Sequence, residues 1–461
     1  MIKSNNLSEG NILKALIKLA LPIMGTSFVQ MAYNMTDMIW IGRVGSKSVA
    51  AVGTAGFFTW LAVAFIIIPK VGAEIGVAQS VGKNDLEGAK SYARHTIQID
   101  IVLAILYGSC LLIFRKELIG FFNLGDIQVI HMAIDYLVIV TFGIVFYFIN
   151  PVFTGIYNGY GDSKTPFIMN GIGLVVNMIL DPVLIFGMGP FPALGVKGAA
   201  IATIIAQFIV TIVFIYSIRK KFLLFSGFKL FDLPNRNYIK KIINLGFPVA
   251  LQSGLFTIFS MFIARIIAQW GPIPIAVQKV GSQIEAISWM SAGGFSTAIG
   301  TFVGQNYGAK KGDRVYRGYF IGIGIVSVIG IIASGLLIFG ARPVFSIFIP
   351  EEKAILYGID YLKILGLSQL FMCIELATAG AFNGLGRTIP PSIVGILFTG
   401  LRVPAAMILS SSRLLGLNGV WWSISISSIV KGVTLGIWFI ILLHKHPEIS
   451  RKKNIGIDFM K

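Results

Sequence analysis

Charge is what this chain has least of. Asp, Glu, Lys and Arg make up 13% of its 461 residues, about half the share of a soluble domain, while 55% are hydrophobic and the mean hydropathy is +0.81. That balance excludes water as the solvent for most of its surface. Cysteine is scarcer still: Cys110 and Cys373 both fall in apolar stretches with no spacing that suits a metal site or a disulfide framework, so both are read as packing residues. The four histidines, His95, His131, His444 and His446, lie at or beyond the ends of apolar stretches, which excludes a histidine metal site or catalytic dyad inside a membrane. There is no HExxH, no GxSxG and no phosphate-binding glycine loop ending in Lys. The chain is therefore not expected to be an enzyme, to use ATP directly or to need a cofactor. No small-residue cleavage site follows the first apolar stretch, so Met1 to Lys14 is expected to be retained rather than removed as a signal peptide.

What is present is a series of about twelve apolar stretches, each roughly 20 residues or longer and able to cross some 30 Å of hydrocarbon as a helix. They cover 16 to 40, 48 to 78, 96 to 114, 129 to 157, 165 to 187 and 195 to 218, then 242 to 268, 274 to 304, 317 to 340, 354 to 382, 389 to 411 and 416 to 443. A β-barrel is excluded, because a run such as Ile99 to Phe114 is apolar on every side rather than on alternate residues. The net charge of +18 would suit nucleic acid, but its distribution points elsewhere. Roughly three times as many Lys and Arg fall on the face holding both termini as on the other face, which places both termini in the cytoplasm of a multi-pass cell-membrane protein. Arg219 to Lys221, Lys240, Lys241 and Arg451 to Lys453 read as anchors at anionic lipid headgroups, and no nucleic-acid partner is expected.

Motifs recur along the chain. Leu21-Pro22 is answered by Phe247-Pro248, and Gln79 with Gly82 by Gln305 with Gly308, at an offset of 226 residues. Ile134-Asp135-Tyr136-Leu137 is answered by Ile359-Asp360-Tyr361-Leu362, and Asn158-Gly159-Tyr160-Gly161 by Asn383-Gly384-Leu385-Gly386, at 225; Leu194-Gly195 and Gly198 are answered by Leu415-Gly416 and Gly419 at 221. Each copy holds six spans, an even number, so both copies enter the membrane from the same side. The expected fold is all-α, with twelve transmembrane helices in two parallel six-helix bundles about an axis along the membrane normal. The expected divisions are an N-lobe over 1–218, a cytoplasmic linker over 219–241 around Gly227 and Pro234, a C-lobe over 242–443 and a basic tail over 444–461. Lys83 to Arg94 and Ala309 to Arg317 are amphipathic and are expected at the inner interface.

An ionisable residue deep in a bilayer costs at least about 2.5 kcal/mol, so each needs a partner or a task. Asp135, Asp360 and Asp100 sit near span ends and read as structural, and Lys70 with Glu74, four apart on one face, as a neutralising pair. On the first span Gln30, Tyr33 and Asp37 form one stripe at i, i+3 and i+7; on the fifth Asn177 and Asp181 are four apart, and on the sixth Ala199 and Thr203 repeat that spacing. Two carboxylates, an amide oxygen, a hydroxyl and a backbone carbonyl suit a hard monovalent cation, or two acids sharing a proton. The bland alternative is a hydrogen-bonded network that fixes helix packing. The second half breaks the symmetry: Ile263 stands for Asp37 and Arg402 for Asn177, and its own deep acid is Glu285. Glu285 and Arg402 read either as gating or cavity residues or as an internal salt bridge, with Glu375 a weaker candidate.

The sequence resembles the multidrug and toxic compound extrusion family of secondary antiporters, in its DNA-damage-inducible-protein-F-like branch. The resemblance covers nearly the whole chain and rests on Leu21-Pro22, Asp37, Val77-Ala78-Gln79, Val303-Gly304-Gln305, Asn158-Gly159-Tyr160-Gly161-Asp162, Asn177 with Asp181, Gln283-Ile284-Glu285 and Arg402-Val403-Pro404. It implies a V-shaped pair of lobes around a central cavity, acting as a monomer among membrane lipids and exporting small amphipathic, often cationic, organic compounds in exchange for Na+ or H+. By resemblance Asp37, Asn177, Asp181, Ala199 and Thr203 match the coupling-ion site, and Gln30 and Tyr33, with Tyr136 and Thr154, the substrate cavity. Thr154 departs from the Asn of many members, and the seventh span lacks the acid of other branches, so coupling is expected through the N-lobe carboxylates. Two alternatives carry different signatures: a flippase for a lipid-linked precursor calls for a more cationic cavity, and an ion channel for a continuous polar stripe.

Overall fold

The computed structural model describes residues 7–122, 124–221, 230, 232–411 and 413–445; Gly227, His446 and the basic cluster Arg451 to Lys453 lie outside the described residues. Among the described residues every regular element is an α-helix. The first half runs α1 (Ile12–Val44), α2 (Ser46–Gly82), α3 (Leu86–Ile113), α4 (Arg115–Gly120), α5 (Ile127–Phe142), α6 (Ile144–Tyr160), α7 (Lys164–Phe186) and α8 (Val196–Lys221). The second runs α9 (Arg236–Ala268), α10 (Pro272–Gly308), α11 (Gly312–Phe339), α12 (Ala341–Ser346), α13 (Glu352–Gly366), α14 (Gln369–Gly384), α15 (Ile389–Leu409) and α16 (Leu417–Lys445).

The duplication is written in the backbone. Paired in order, the first four helices of each half have 33, 37, 28 and 6 residues in both copies. Even the strained turn after the second helix recurs: Asn84 and Lys310, 226 apart, are the two non-glycine residues at positive φ, 57° and 56°, among the described residues. Among the described residues nine helices are long and apolar enough to cross a membrane, and eleven spans result when each bent pair counts as one. The twelfth segment is α10, whose length suffices but which carries Gln278, Lys279, Gln283 and Glu285. Glu285 accepts hydrogen bonds from Tyr361 of α13 and Gln369 of α14, and Gln278 from Trp421 of α16.

Three features differ from the sequence reading. The fourth and tenth spans are each broken, at 53° between α5 and α6 and at 47° between α13 and α14. Gly143 allows the first break: a Cβ there would stand 2.5 Å from Ile204 Cγ1, so only glycine lets the bend press against α8. The short helices α4 and α12 had no distinct signal, and the amphipathic stretches after α2 and α10 run straight into α3 and α11. Asp85 starts α3 by accepting a hydrogen bond from the Gly88 amide at 2.8 Å.

Close helix packing explains one of the recurring motifs. Gly155 and Gly159 of α6 lie against the backbone of α2, where added Cβ atoms would be 2.8 Å from Lys70 O and 2.6 Å from Glu74 O. Their counterparts Gly380 and Gly384 of α14 lie against α10, 2.1 Å from Ser296 O and 2.3 Å from Gly300 O by the same measure. The glycine of each Asn-Gly pair thus ends a small-xxx-small stripe that lets two helix backbones touch. Lys70 and Glu74 themselves do not form an ion pair; Asp135 does, with Lys197 at 3.1 Å, and Asp360 in the equivalent place accepts from Asn418 at 3.4 Å.

The chain forms two compact units whose boundaries cut through helices. Among the described residues, unit 1 contains Gly25–Phe247, and unit 2 contains Leu7–Met24 and the chain from Pro248. Each handover falls within three residues of a member of the recurring Leu-Pro and Phe-Pro pair. Leu16, Leu19, Ala20 and Ile23 from the start of α1 join Phe295, Phe302 and Phe382 in the core of unit 2. The start of α9 joins unit 1, where Gly246 lies against Ile68 so closely that a Cβ would be 2.2 Å from its carbonyl oxygen.

Each lead-in is strapped to its unit by polar side chains. In unit 2, Arg314 donates to the carbonyls of Gly10 (2.9 Å), Leu7 (3.1 Å) and Glu9 (3.2 Å), and Lys311 donates to Ser8 O at 2.9 Å. In unit 1, Gln98 donates to Leu230 O at 2.6 Å, Arg94 pairs with Asp232 at 2.7 Å, and His95 Nε2 accepts the Asn235 amide at 2.8 Å. His95 Nδ1 faces Ser91 O at 2.6 Å and the ring stacks on Tyr238, so Nε2 accepts only while the imidazole is neutral. His95→Phe keeps the stack and removes the acceptor. Amide exchange at Asn235 should then be faster by roughly tenfold at neutral pH. Wild type should approach the same rate as acid protonates the ring, and the variant should show no such extra rise.

Candidate functional site

The densest group of unsatisfied polar atoms lies in unit 1, where α1, α7 and α8 meet. The second part of α1 presents Tyr33, Asp37 and Trp40 on one stripe. On α7, Asn177 and Asp181 are one turn apart, and Pro182 directly after Asp181 removes a backbone donor from the helix at that depth. The helix α8 follows through a tight return: Leu194 and Gly195 donate to the carbonyls of Leu184 and Ile185 at 3.0 and 3.1 Å. Gly198 sits so near Leu184 O that a Cβ would be 2.3 Å away. That close approach sets Ala199 and Thr203 of α8 beside α7.

Asn177 and Asp181 are fully buried, and Asn177 Nδ2 donates to Asp181 Oδ1 at 3.1 Å. Asp37 lies beside both, and Tyr33 beside Thr203, Asp37, Asp181 and Tyr136. Yet Asp37 Oδ1, Asn177 Oδ1, Asp181 Oδ2, Thr203 Oγ1 and the Tyr33 hydroxyl, all buried, close no hydrogen bond of standard geometry. Buried acceptors are normally satisfied, since each one left alone costs roughly 1 to 3 kcal/mol. Five oxygens from three helices converge here, and neither carboxylate has a cationic side chain paired with it among the described residues. Two adjacent bare carboxylates in a low-dielectric interior repel, so the arrangement calls for a proton, a small hard cation, or each in turn. The donor set fits Na+: oxygens only, two of them anionic, with no sulfur or imidazole.

Around this cluster the lining is aromatic. Tyr136 is buried, and Trp40 carries the Arg43 guanidinium 4.7 Å above its ring and meets Phe186 edge-on. The other expected cavity residues are Gln30 and Thr154. Gln30 is exposed on α1. Thr154 joins α6 to α7, donating to Asn150 O at 3.0 Å and accepting from Asn170 Nδ2 at 3.4 Å, so it bonds helices rather than the cluster. Glu285 and Arg402 belong to unit 2 and form no ion pair with each other: Glu285 accepts from Tyr361 at 2.5 Å and Gln369 at 3.2 Å, and Arg402 donates to Ser427 at 2.9 Å.

A buried hydrogen-bond network and the cationic partner of Glu375 escaped the sequence reading. Asn150, Gln207 and Thr211 form a closed network, Asn150 Nδ2 donating to Gln207 Oε1 at 2.8 Å and Thr211 Oγ1 to Asn150 Oδ1 at 2.9 Å. Lys431 pairs with Glu375 at 2.9 Å with both side chains 9% exposed. A signal existed for the second: Lys431 is the lone charge within the span 416–443.

A sequence profile described as MatE matches residues 22–183 and 248–408, once in each half. The chain is 31% identical over 434 residues to a Thermotoga maritima protein described as a probable multidrug resistance protein NorM, covering 93% of this chain and 92% of that one. It is 26% identical over 423 residues to the Bacillus subtilis probable multidrug resistance protein YoeA, covering 90% of each. Among solved structures, one of a multidrug resistance MATE family transporter of the MOP superfamily in an outward-facing conformation superposes with a TM-score of 0.86 at 26% identity. That match covers 96% of this chain and 98% of the other.

Proposed function

The chain belongs to the MatE family, and on that premise we propose that it is a secondary antiporter exporting small amphipathic, cationic organic compounds in exchange for Na+ or H+. It is an integral membrane transporter of the multidrug-efflux kind and not an enzyme. The observation that carries the finer reading is the group of five partnerless oxygens around Asp37 and Asp181. A permanently satisfied structural network would not leave them so; a site that fills and empties during each cycle would. The aromatic rings of Tyr33, Tyr136 and Trp40 beside the two acids favour an organic cation when the ion has left.

Binding at the site acts on α1, α7 and α8 together. Because α1 contributes Leu16, Leu19 and Ile23 to the core of unit 2 and Asp37 to the site in unit 1, a shift at Asp37 is carried between the units along one continuous helix. Ion and substrate thereby favour different conformations and weaken each other, by about 1 to 3 kcal/mol in typical coupled systems. The protein on this reading acts as a monomer in the cell membrane by alternating access, with its termini in the cytoplasm, as the excess of basic residues on that face supports. Full-length protein in liposomes loaded with ethidium is the direct test. An imposed Na+ gradient or pH gradient should speed ethidium efflux at least about fivefold over liposomes without a gradient. Equal rates under all three conditions would end the antiport reading.

A further inference from the structure

The second half holds a deep polar cluster of its own, and its leftover group is a cation. Arg402 of α15 stands at the position equivalent to Asn177 and is 7% exposed. Its Nε donates to Ser427 Oγ of α16, which is itself fixed to Ile424 O at 2.8 Å. The four N–H groups on its two terminal nitrogens have no acceptor among the described residues. The acids nearby are engaged elsewhere. Tyr361 and Gln369 hold the two oxygens of Glu285, Ser288 fixes Gln369 at 2.6 Å, and Lys431 pairs with Glu375. Glu285 and Glu375 are still within electrostatic reach of Arg402, so the guanidinium stays compensated in charge while its fork is left without partners. With 7% of its surface exposed, Arg402 is not wholly enclosed, and its fork has no hydrogen bond to the protein among the described residues.

We propose that the Arg402 fork is a binding site for an oxyanion, the carboxylate or phosphate of an amphipathic organic substrate. A planar guanidinium whose edge between the two terminal nitrogens is free matches such a group in bidentate fashion, which Lys431, already paired with Glu375, does not. Arg402 lies seven residues inside the end of α15, about 10 Å along the helix. That depth favours a substrate group over a lipid headgroup at the interface. The deep polar clusters of the two halves then differ in sign: the acid pair of the first suits a positive charge, and the arginine of the second a negative one. Zwitterionic and anionic amphiphiles join the substrate range. This inference rests on the efflux reading and extends its substrate class.

Rhodamine B and its ethyl ester share one skeleton and differ by a free carboxylate, so the ratio of their affinities isolates that group. Fluorescence anisotropy titrations of the full chain in detergent measure both. In Arg402→Met the ratio should turn against rhodamine B by at least about tenfold, the size of a lost charged hydrogen-bond pair. Arg402→Lys keeps the charge balance and protects folding but loses the fork, and its ratio should fall by a smaller factor, about threefold or more. Ratios within twofold of wild type in both variants would overturn the proposal, as would a competing loss caused by phosphatidylglycerol in place of any preference for the carboxylate probe. The failures are separable. If wild type exports neither probe from liposomes under either gradient, the efflux reading fails; if it exports the ester and the ratio does not respond to Arg402, only the oxyanion site fails.

Discussion

Asp37→Asn and Asp181→Asn should each abolish gradient-driven efflux while leaving folded protein at wild-type yield and with an equal or higher unfolding temperature. The asymmetry between the two readouts is the point of the experiment. Asp37 Oδ1 and Asp181 Oδ2 have no hydrogen-bond partner, so exchanging a carboxylate for an amide of the same shape removes charge without breaking a bond seen in the fold. Relieving the repulsion between two neighbouring acids stabilises, as often happens when a strained site is neutralised. Binding of a cation, by contrast, depends on that charge, and each 1.4 kcal/mol lost weakens it tenfold. Ethidium efflux should therefore drop by about tenfold or more, to the rate without a gradient. A purely structural network predicts the opposite pair of results, a lower unfolding temperature and efflux reduced only in proportion to the folded protein remaining.

Gly380→Ala should be among the most damaging single-methyl changes in the protein, and Gly324→Ala among the mildest. The added carbon at 380 would stand 2.1 Å from Ser296 O and 2.7 Å from Ser296 C, both backbone atoms that no rotamer change can move. The helices α10 and α14 must separate along their length, where ordinary overpacking costs about 1 to 3 kcal/mol. At 324, on α11, nothing lies within 4 Å, and replacing glycine in a helix interior contributes roughly 0.5 to 1 kcal/mol in favour of the fold. Thermal unfolding of both variants in the same detergent should give a clear drop for the first and none for the second. Gly155→Ala and Gly159→Ala should reproduce the loss in the first half, where α6 meets Lys70 O and Glu74 O. Equal unfolding temperatures for Gly380→Ala and Gly324→Ala would mean that α10 and α14 are not in backbone contact.

The apolar stretches and the repeated motifs made the helical fold and its duplication legible, because burial in lipid imposes a long period on composition. The recurrence of Asn158-Gly159 and Asn383-Gly384 was visible, but its cause was not: which backbone a glycine touches depends on a helix some 80 residues away. The breaks at Gly143 and Gly366 were hidden for a similar reason, since the residues on both sides are equally apolar and the bend answers to neighbours such as Ile204. The division of α1 between two units had no local mark beyond Pro22, as Leu16 and Leu19 suit either core. Asp37, Asn177, Asp181 and Thr203 stood out because polar groups inside apolar runs are rare, and helical spacing put them on shared faces. Thr154 looked the same by that criterion. Its partners Asn150 and Asn170 satisfy it, and one of them lies on another helix, where spacing along its own chain cannot reveal it.

The central claim is that the oxygens around Asp37 and Asp181 hold the ion whose binding opposes that of substrate. Titrating ethidium into the purified full chain, at several Na+ concentrations and at several pH values, measures that opposition at equilibrium without any gradient. Ethidium affinity should fall at least about fivefold as Na+ rises or as pH falls, and the dependence should vanish in Asp37→Asn and Asp181→Asn. Affinity that ignores both ions in wild type, or that responds equally in the two variants, would contradict it.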